Sequence, residues 1–227
     1  TCALPISIAV IGSINLDIVA TIEAFPRPGE TVTNAAVARF PGGKGANQAL
    51  AAHRLGAKVF MIGRVGDDPV AEEALRTLRD EQVDTSYCRT LENESTGLAM
   101  IMVNAEGENQ IVVAPGANAA FEAEDLELPA TDACIAQLEV PLTTILRAAQ
   151  AGRSFFCLNA APAKPVSHEL LEHVDLLVVN EIEAQVLGDE LLSYRGILAS
   201  TFGPKGAVLS RDGKEIARAL PPAVEVI

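Results

Sequence analysis

The sequence predicts a single domain with a mostly parallel α/β fold, and three observations lead to that prediction. Short apolar runs typical of strands alternate with helical patterns along the chain, as in βαβ units. The 227 residues are 49% hydrophobic, which is enough to build one substantial core. Two further stretches break the alternation, and they predict a small antiparallel sheet outside the main one.

The elements of the main layer follow one another in regular order. The predicted core strands are the apolar runs Ser7–Ile11, Lys58–Arg64, Ala133–Gln137, Phe155–Asn159, Leu176–Asn180 and Gly206–Ser210. The predicted helices are Gly45–Leu55, Asp68–Glu81, Pro141–Ala151, His168–Val174 and Glu181–Leu187. The second helix opens with Asp68-Pro69, an N-cap residue followed by a proline suited to the first helical position. Right-handed crossovers between parallel strands would place ligands at the carboxyl ends of the strands.

The two exceptional stretches predict antiparallel strand pairs. Ile18–Glu23 pairs with Thr31–Phe40, and Gly97–Val103 pairs with Asn109–Ala114. In the second pair, apolar residues occupy consecutive positions, so both faces of these strands are apolar and must be covered by other parts of the protein or by a partner. One face can close over a ligand while the other meets a partner subunit. The alternative is that these strands extend the edge of the main sheet.

Composition narrows the class of function. Seventeen basic residues against thirty acidic ones give a net charge of −13, which argues against nucleic acid or an anionic membrane as partner. The cysteines Cys2, Cys88, Cys134 and Cys157 are far apart, which favours reduced thiols over disulfides or a zinc site. No apolar run reaches the ~18 residues of a membrane span, and a strand opens the chain where a signal peptide would begin. The prediction is a cytoplasmic protein.

A glycine-rich motif, Pro41–Gln48 (PGGKGANQ), leads into the first predicted helix. Its glycines allow close backbone approach, and the helix start is expected to offer free N–H groups to an anion or a polar ligand. Lys44 adds a charge, and Asn47 adds a donor and an acceptor, a mixture suited to polyols or phosphates. An ordinary strand-to-helix turn with a solvated lysine is equally consistent with the motif alone. The spacing is not that of a Walker loop.

Polar residues also follow three other strands. Asn15 and Asp17 come after the first strand, although a lone Asp there is also a common turn residue. Asn180 and Glu183 enter a helix with the spacing of a capping pair and with oxygen atoms that suit Mg²⁺. The segment 200–206 (STFGPKG) has glycines that can expose backbone N–H groups to phosphates, and it also fits a hairpin turn.

Together with Ser95–Asn118, Gln137–Pro141 and Leu158–Ala163, these motifs resemble the ribokinase family of sugar kinases, the phosphofructokinase-B group. The resemblance extends over essentially all of residues 1–227. It implies a three-layer α/β/α sandwich with a small β-sheet lid, built from about residues 18–40 and 97–114. In the family this lid covers the sugar and clasps its twin in a homodimer.

The resemblance also implies an activity and its residues. The activity is ATP-dependent phosphorylation of a sugar, with D-ribose and its 5-hydroxyl expected as acceptor, Mg²⁺ as cofactor and K⁺ as activating monovalent cation. The residues expected to hold the sugar are Asn15, Asp17, Gly43, Lys44, Asn47 and Glu139. Those expected at the nucleotide are Asn180, Thr201, Gly203, Lys205 and Gly206, with Asn180 and Glu183 organising Mg²⁺.

The sequence departs from the family at the catalytic base. The family takes this base from a motif Asp-Thr-x-Gly-Ala-Gly-Asp, and no such motif occurs in the 227 residues. The closing residues Ala223–Ile227 resemble the strand that leads into it. The connections after Ala151 and Gly188 are also short, so we expect a kinase from which segments are missing.

Two other functions fit the residues. The first is a kinase for another sugar or a nucleoside, and the second is a non-catalytic binding protein that lacks the base. A Rossmann dehydrogenase is not favoured, because residues 12–15 (GSIN) lack the G-x-G-x-x-G fingerprint.

Overall fold

A computed structural model describes residues 5–151 and 154–221. In these residues the strands are β1 (Ser7–Ile11), β2 (Asn15–Thr21), β3 (Ala36–Gly42), β4 (Lys58–Gly66), β5 (Asp84–Leu91), β6 (Gly97–Val103), β7 (Asn109–Ala114), β8 (Ala133–Gln137), β9 (Phe155–Asn159), β10 (Leu176–Asn180), β11 (Ile197–Thr201), β12 (Ala207–Arg211) and β13 (Lys214–Ala219). The helices are α1 (Lys44–Arg54), α2 (Val70–Asp80), α3 (Leu142–Gln150), α4 (His168–Leu171), α5 (Glu181–Leu187) and α6 (Glu190–Ser193). The predicted strand at Ala223–Ile227 lies outside the described residues.

The main sheet has nine strands in the order β13-β12-β11-β10-β9-β8-β1-β4-β5. Strands β11 through β5 in this order are parallel, and β12 and β13 are antiparallel additions at one edge. The carboxyl ends of β1, β8, β9, β10 and β11 therefore lie along one edge of the sheet, which is where open α/β sheets bind ligands.

Helices pack on both faces of the sheet, which confirms the predicted three layers. On one face, Ile145 of α3 and Leu170 of α4 join a core with Leu158 and Leu177. On the other face, a separate core centred on Val10 and Met61 packs under α1 and α2. Helices α1 and α2 cover strands β1, β4, β5 and β8. Apolar side chains of the neighbouring strands β9 and β10 on this face, such as Cys157, Leu176 and Val178, stay half-exposed.

The small sheet is separate from the main one, so the prediction of an edge extension is wrong and that of a lid-like sheet is confirmed. Its order is β3-β2-β6-β7, with β2 and β6 parallel and the outer pairs antiparallel. Strand β2 begins at Asn15, three residues before the predicted start. Asn15 and Asp17 therefore belong to a strand of this sheet and not to a turn. We call this four-stranded sheet the lid.

Several boundaries differ from the prediction for local reasons. Strand β5 was not predicted because it is an edge strand whose run DTSYCRTL is mostly polar. Helix α2 begins at Val70, yet Asp68 still caps it, since its Oδ1 accepts a hydrogen bond from the Ala71 N–H at 3.1 Å. After Gly188, the four-residue helix α6 completes a crossover to β11, which pairs parallel to β10. Strands β11 and β13 were also missing from the predicted core strands. No helix in the described part of the chain is long and apolar enough to cross a membrane.

Candidate active site

A cavity of about 360 Å³ lies at the carboxyl edge of the main sheet, where the lid joins the domain. It is lined by Ser13, Asn15, Lys44, Val113, Pro115, Asn118, Glu139, Pro162 and Lys164. Three of the six predicted sugar residues, Asn15, Lys44 and Glu139, line this cavity. Asp17 and Gly43 adjoin it. The side chain of Asn47 is exposed in the first turn of α1. A second cavity, larger than this one, lies at the opposite ends of β8 and β9 and is lined mainly by apolar and small side chains.

Asp17 adjoins the cavity as a half-buried carboxylate on β2. Burial raises the pKa of Asp17 and the nearby Glu139 carboxylate raises it further, whereas Lys44 lowers it. These charges interact because the three side chains lie close together. Gly42 makes room for the carboxylate, since a Cβ at that position would lie 2.2 Å from Asp17 Oδ2. The structure thus places an acceptor of hydroxyl hydrogen bonds beside the cavity.

Glu139 holds the start of helix α1. Its Oε2 accepts hydrogen bonds from the Ser13 hydroxyl and, at 3.2 Å, from the Lys44 N–H. Its Oε1 lies 3.3 Å from Lys44 Nζ. The next two N–H groups of the helix donate to Ser13, Gly45 to its Oγ at 3.4 Å and Ala46 to its carbonyl at 3.0 Å. The expectation that α1 offers free N–H groups to an anion is therefore wrong, because Ser13 and Glu139 already satisfy them.

The glycines of the motif are explained by backbone geometry. Gly43 has φ +93°, in the region that favours glycine. A Cβ on Gly45 would lie 2.6 Å from the carbonyl carbon of Gly12, so this glycine lets α1 approach the end of β1. The strand-to-helix turn therefore also lines the cavity, through Lys44, which is half-buried.

Several residues that line the cavity were not predicted. Asn118 is buried and bonds to both Ile14 and Asn15, and Lys164 donates from Nζ to the Leu138 carbonyl at 2.9 Å. Ser13 lies in the segment 12–15 and Asn118 in the segment 95–118, but the residue pattern around neither position indicates a binding site. Lys164 directly follows the segment Leu158–Ala163 and lies outside the motifs that the sequence analysis identified.

The predicted nucleotide residues gather at the ends of β10 and β11. Asn180 and Thr201 are directly paired across these parallel strands, and the Thr201 hydroxyl donates to the Val179 carbonyl at 3.2 Å. Gly203 and Gly206, with φ of +53° and +89°, shape the turn that joins β11 to antiparallel β12. The hairpin-turn alternative is thus correct for the local structure. Lys205 is exposed in this turn.

Asn180 and Glu183 form a complete capping box at the start of α5. Asn180 Oδ1 accepts from the Glu183 N–H at 2.8 Å, and Glu183 Oε2 accepts from the Asn180 N–H at 2.7 Å. Glu183 Oε1 has no partner among residues 5–151 and 154–221, and it is not one of the buried unpartnered atoms there. Glu183 as a whole is 7% exposed, so this carboxylate oxygen is left unused by the capping box and keeps limited access to solvent. The same part of the chain contains no cluster of three or more acidic, His or Cys ligands for a metal.

Comparison with known protein families matches residues 5–227 to the pfkB family carbohydrate kinases. The chain belongs to this family. The ribokinase of Haemophilus influenzae is 36% identical over 231 residues, covering 92% of this chain and 76% of the relative. The ribokinase of Bacillus subtilis is 39% identical over 224 residues with the same coverage. The deoxyribokinase of Salmonella typhi is 35% identical over 230 residues, covering 90% of this chain and 75% of the relative.

Solved structures agree with this family assignment. The ribokinase of Thermotoga maritima superposes with a TM-score of 0.86 at 26% identity, covering 98% of this chain and 80% of that one. The ribokinase of Arabidopsis thaliana, solved in complex with ribose and ATP, superposes with a TM-score of 0.82 at 27% identity and the same coverage. The matched relatives are thus longer than the region that aligns to this chain.

Proposed function

We propose that this protein is an ATP-dependent sugar kinase that transfers the γ-phosphoryl group to the 5-hydroxyl of D-ribose. The observation that carries the proposal is the cluster of Asn15, Asp17, Lys44 and Glu139 at the carboxyl edge of the sheet. The same edge carries the glycine turn after β11, with β9 and β10 between the two groups. Membership of the carbohydrate kinase family supports the reaction type, and the ribokinase relatives support ribose.

On the sugar side, each residue contributes a different hydrogen-bonding capacity. The Asp17 carboxylate only accepts, the Lys44 ammonium only donates, and the Asn15 amide can do both. A polyol requires such a mixture, because each hydroxyl both donates and accepts. Gly43 and Asn47 complete the proposed sugar site through the backbone and first turn of α1. Glu139 acts both as a sugar-side carboxylate and as the group that fixes Lys44.

On the nucleotide side, we assign the phosphates to the turn after β11 and Mg²⁺ to Asn180 and Glu183. The turn contributes Thr201, Gly203, Lys205 and Gly206, and the positive φ of its two glycines gives a backbone that a phosphate can approach closely. The open Oε1 of Glu183 fits Mg²⁺, which prefers oxygen and keeps several of its waters. When bound, the ion would neutralise charge on the phosphates. The capping box and this role are compatible, since the box uses only the other carboxylate oxygen.

The catalytic base and the K⁺ site are assigned to a segment that is not among these 227 residues. No Asp-Thr-x-Gly-x-Gly-Asp sequence occurs in them, and the aligned relatives extend beyond the match. The half-exposed apolar face of β9 and β10 is a surface that such a segment would cover. In this proposal residues 1–227 form one domain with its lid, and the base comes from the remainder.

We also propose a homodimer through the lid and a cytoplasmic location. The face of the lid opposite Asp17 exposes large apolar side chains at Val37, Met100 and Val112, which a second lid would bury. The location rests on the free thiols of Cys88, Cys134 and Cys157.

The test is ADP release with Mg²⁺-ATP and potassium, with and without D-ribose. Ribose-dependent release supports the proposal. The main alternative substrate is 2-deoxy-D-ribose, because the deoxyribokinase relative is almost as similar as the ribokinases. Release with that sugar or with a nucleoside, but not with ribose, would keep the kinase and change its substrate. Binding of ribose without any turnover would favour the non-catalytic reading.

A further inference from the structure

Asn118 is a buried polar residue at the point where the last lid strand rejoins the main domain. It is 1% exposed. Its Oδ1 accepts a hydrogen bond from the Ile14 N–H at 2.9 Å, and its Nδ2 donates to the Ile14 carbonyl at 3.1 Å. Nδ2 also lies 3.0 Å from the Pro115 carbonyl and 2.8 Å from Asn15 Oδ1. One side chain thus joins the end of β7 to the start of β2.

These contacts determine which way two amides point. A backbone N–H can only donate and a carbonyl can only accept, so the bonds to Ile14 fix the oxygen and nitrogen of Asn118. The Asn15 atom that faces the Asn118 nitrogen must then be the oxygen. Asn15 is 4% exposed and lines the cavity. Its Nδ2 is not among the fully buried side-chain atoms without a partner in the described residues, which are Arg64 Nε and Gln137 Oε1, so this nitrogen keeps some access to solvent.

Gly97 provides independent evidence that the bond between the two amides is built into the fold. Gly97 pairs with Asn15 across β6 and β2. A Cβ on Gly97 would lie 2.1 Å from Asn15 Oδ1 and 2.2 Å from Asn118 Nδ2. No positive φ requires glycine at this position. The requirement for glycine is therefore steric, and the space that it leaves is the space that the hydrogen bond occupies.

We propose that Asn118 is a positioning residue that holds the Asn15 amide with its two N–H donors toward the sugar. Beside them, Asp17 presents a carboxylate that only accepts. A sugar hydroxyl can accept from Asn15 and donate to Asp17, so the fixed amide gives the pocket a defined order of donors and acceptors. This inference rests on the proposed function for its ligand, but the orientation of Asn15 does not depend on which sugar binds.

The first experiment needs no ligand. Hydrogen exchange of the Asn15 side-chain NH₂ is measured by NMR in the wild-type protein and in Asn118→Asp. A carboxylate at position 118 would accept from Asn15, so the Asn15 amide should turn its NH₂ inward. We expect fast exchange with solvent in the wild type and protection in the variant at mildly alkaline pH. Protection in the wild type, or no change in the variant, would overturn the proposal.

The second experiment measures the affinity for D-ribose and for ADP by calorimetry. We expect Asn118→Asp to weaken ribose binding about 10- to 100-fold, as for one lost hydrogen bond with a buried group left unpaired. ADP affinity should stay unchanged. The ribose loss should shrink as the pH is lowered, because protonation of a carboxyl at position 118 restores a donor. A general packing defect would show no such recovery.

A double-mutant cycle tests whether Asn118 acts through Asn15. In an Asn15→Ala background, Asn118→Asp should cause no further loss of ribose affinity, whereas additive losses would show a purely structural role. Gly97→Ala should reproduce the ribose defect of Asn118→Asp, since it breaks the same bond by steric means. Unchanged affinity in Gly97→Ala would count against the proposal.

The matched control is Asn104→Asp, the same substitution at another buried lid asparagine. Among the described residues, the Asn104 side chain bonds only to the exposed Glu108, in the turn between β6 and β7. It should leave ribose affinity unchanged, and an equal loss there would overturn the assignment to Asn118. If the wild-type protein does not bind D-ribose, that result contradicts the proposed function. The hydrogen-exchange experiment would then still test whether Asn118 orients Asn15.

Discussion

Replacing Glu139 by Gln tests whether one carboxylate both stabilises helix α1 and sets the charge of the sugar site. The substitution keeps the shape but removes the negative charge that faces the Ser13 hydroxyl, the Lys44 N–H and the Lys44 ammonium. A charge at a helix N-terminus contributes about 0.3–1 kcal/mol, and up to ~2 kcal/mol when partly buried. Hydrogen bonds to a charged group are worth ~1 kcal/mol more than neutral ones.

Together these effects predict a loss of about 2 kcal/mol of folding free energy in Glu139→Gln. For a chain of this length, that corresponds to a Tm lower by roughly 4–8 °C, measured by calorimetry or circular dichroism. The matched control is Glu127→Gln, which removes an exposed ion pair with Arg89. Exposed pairs contribute ~1 kcal/mol or less, so the control should melt within about 2–4 °C of the wild type.

The same substitution should move the pH dependence of ribose use. Glu139 raises the pKa of Asp17 and Lys44 lowers it. Removing the Glu139 charge therefore lowers the pKa of Asp17, because the effect of Lys44 is no longer opposed by Glu139. If sugar binding needs the ionised Asp17, the acid limb of kcat/KM for ribose shifts to lower pH in Glu139→Gln. An unchanged Tm together with an unmoved acid limb would refute the role we give to Glu139.

Three further predictions follow from the geometry. Burial raises the pKa of Asp17 on folding, so the contribution of this carboxyl group to stability falls as the pH rises through that pKa. Asp17→Asn should therefore raise the Tm at neutral pH while abolishing ribose turnover. A lower Tm in the variant would contradict this. Gly42→Ala would push a methyl group against the Asp17 carboxylate and should reduce kcat/KM for ribose about 10- to 100-fold with the fold retained, which steady-state kinetics and circular dichroism would check. Burial raises the pKa of Cys88 to about 12, so Cys88 should resist a thiol reagent at neutral pH until the protein is unfolded. Mass spectrometry that assigns the modified cysteine would check this, and rapid modification of Cys88 in the native protein would contradict it.

Much of the fold could be predicted because its strands are short apolar runs with clear borders. Six strands, β1, β6, β7, β8, β9 and β10, begin and end at the predicted residues. Strand β5 escaped prediction because an edge strand can be polar. Asn15 and Asp17 were expected after a strand, but the pairing of β2 with β3 and β6 extends the lid down to Asn15. Such pairing between distant segments has no signature within either segment alone.

The candidate site was harder to predict because the roles of its residues depend on their partners. Lys44 could be recognised by its glycine-rich surroundings, but its bond to Glu139 joins positions 95 residues apart. Asn118 and Ser13 are ordinary polar residues in the sequence, and only their burial beside Asn15 and Glu139 gives them a role. Electrostatic coupling has the same origin, since the raised pKa of Asp17 comes first from burial and then from Glu139.

For two motifs the structural interpretation is confirmed, and the proposed function is compatible with it. Asn180 and Glu183 form a capping box, and residues 203–206 form a hairpin turn, as the simpler interpretations held. A rigid cap and a glycine turn are nevertheless suitable scaffolds for a ligand, because they fix the positions of side chains, and the capping box uses only one carboxylate oxygen of Glu183. What distinguishes a site from a set of turns is convergence. Seven parallel strands end at one edge here, and the polar residues of the candidate site gather at that edge.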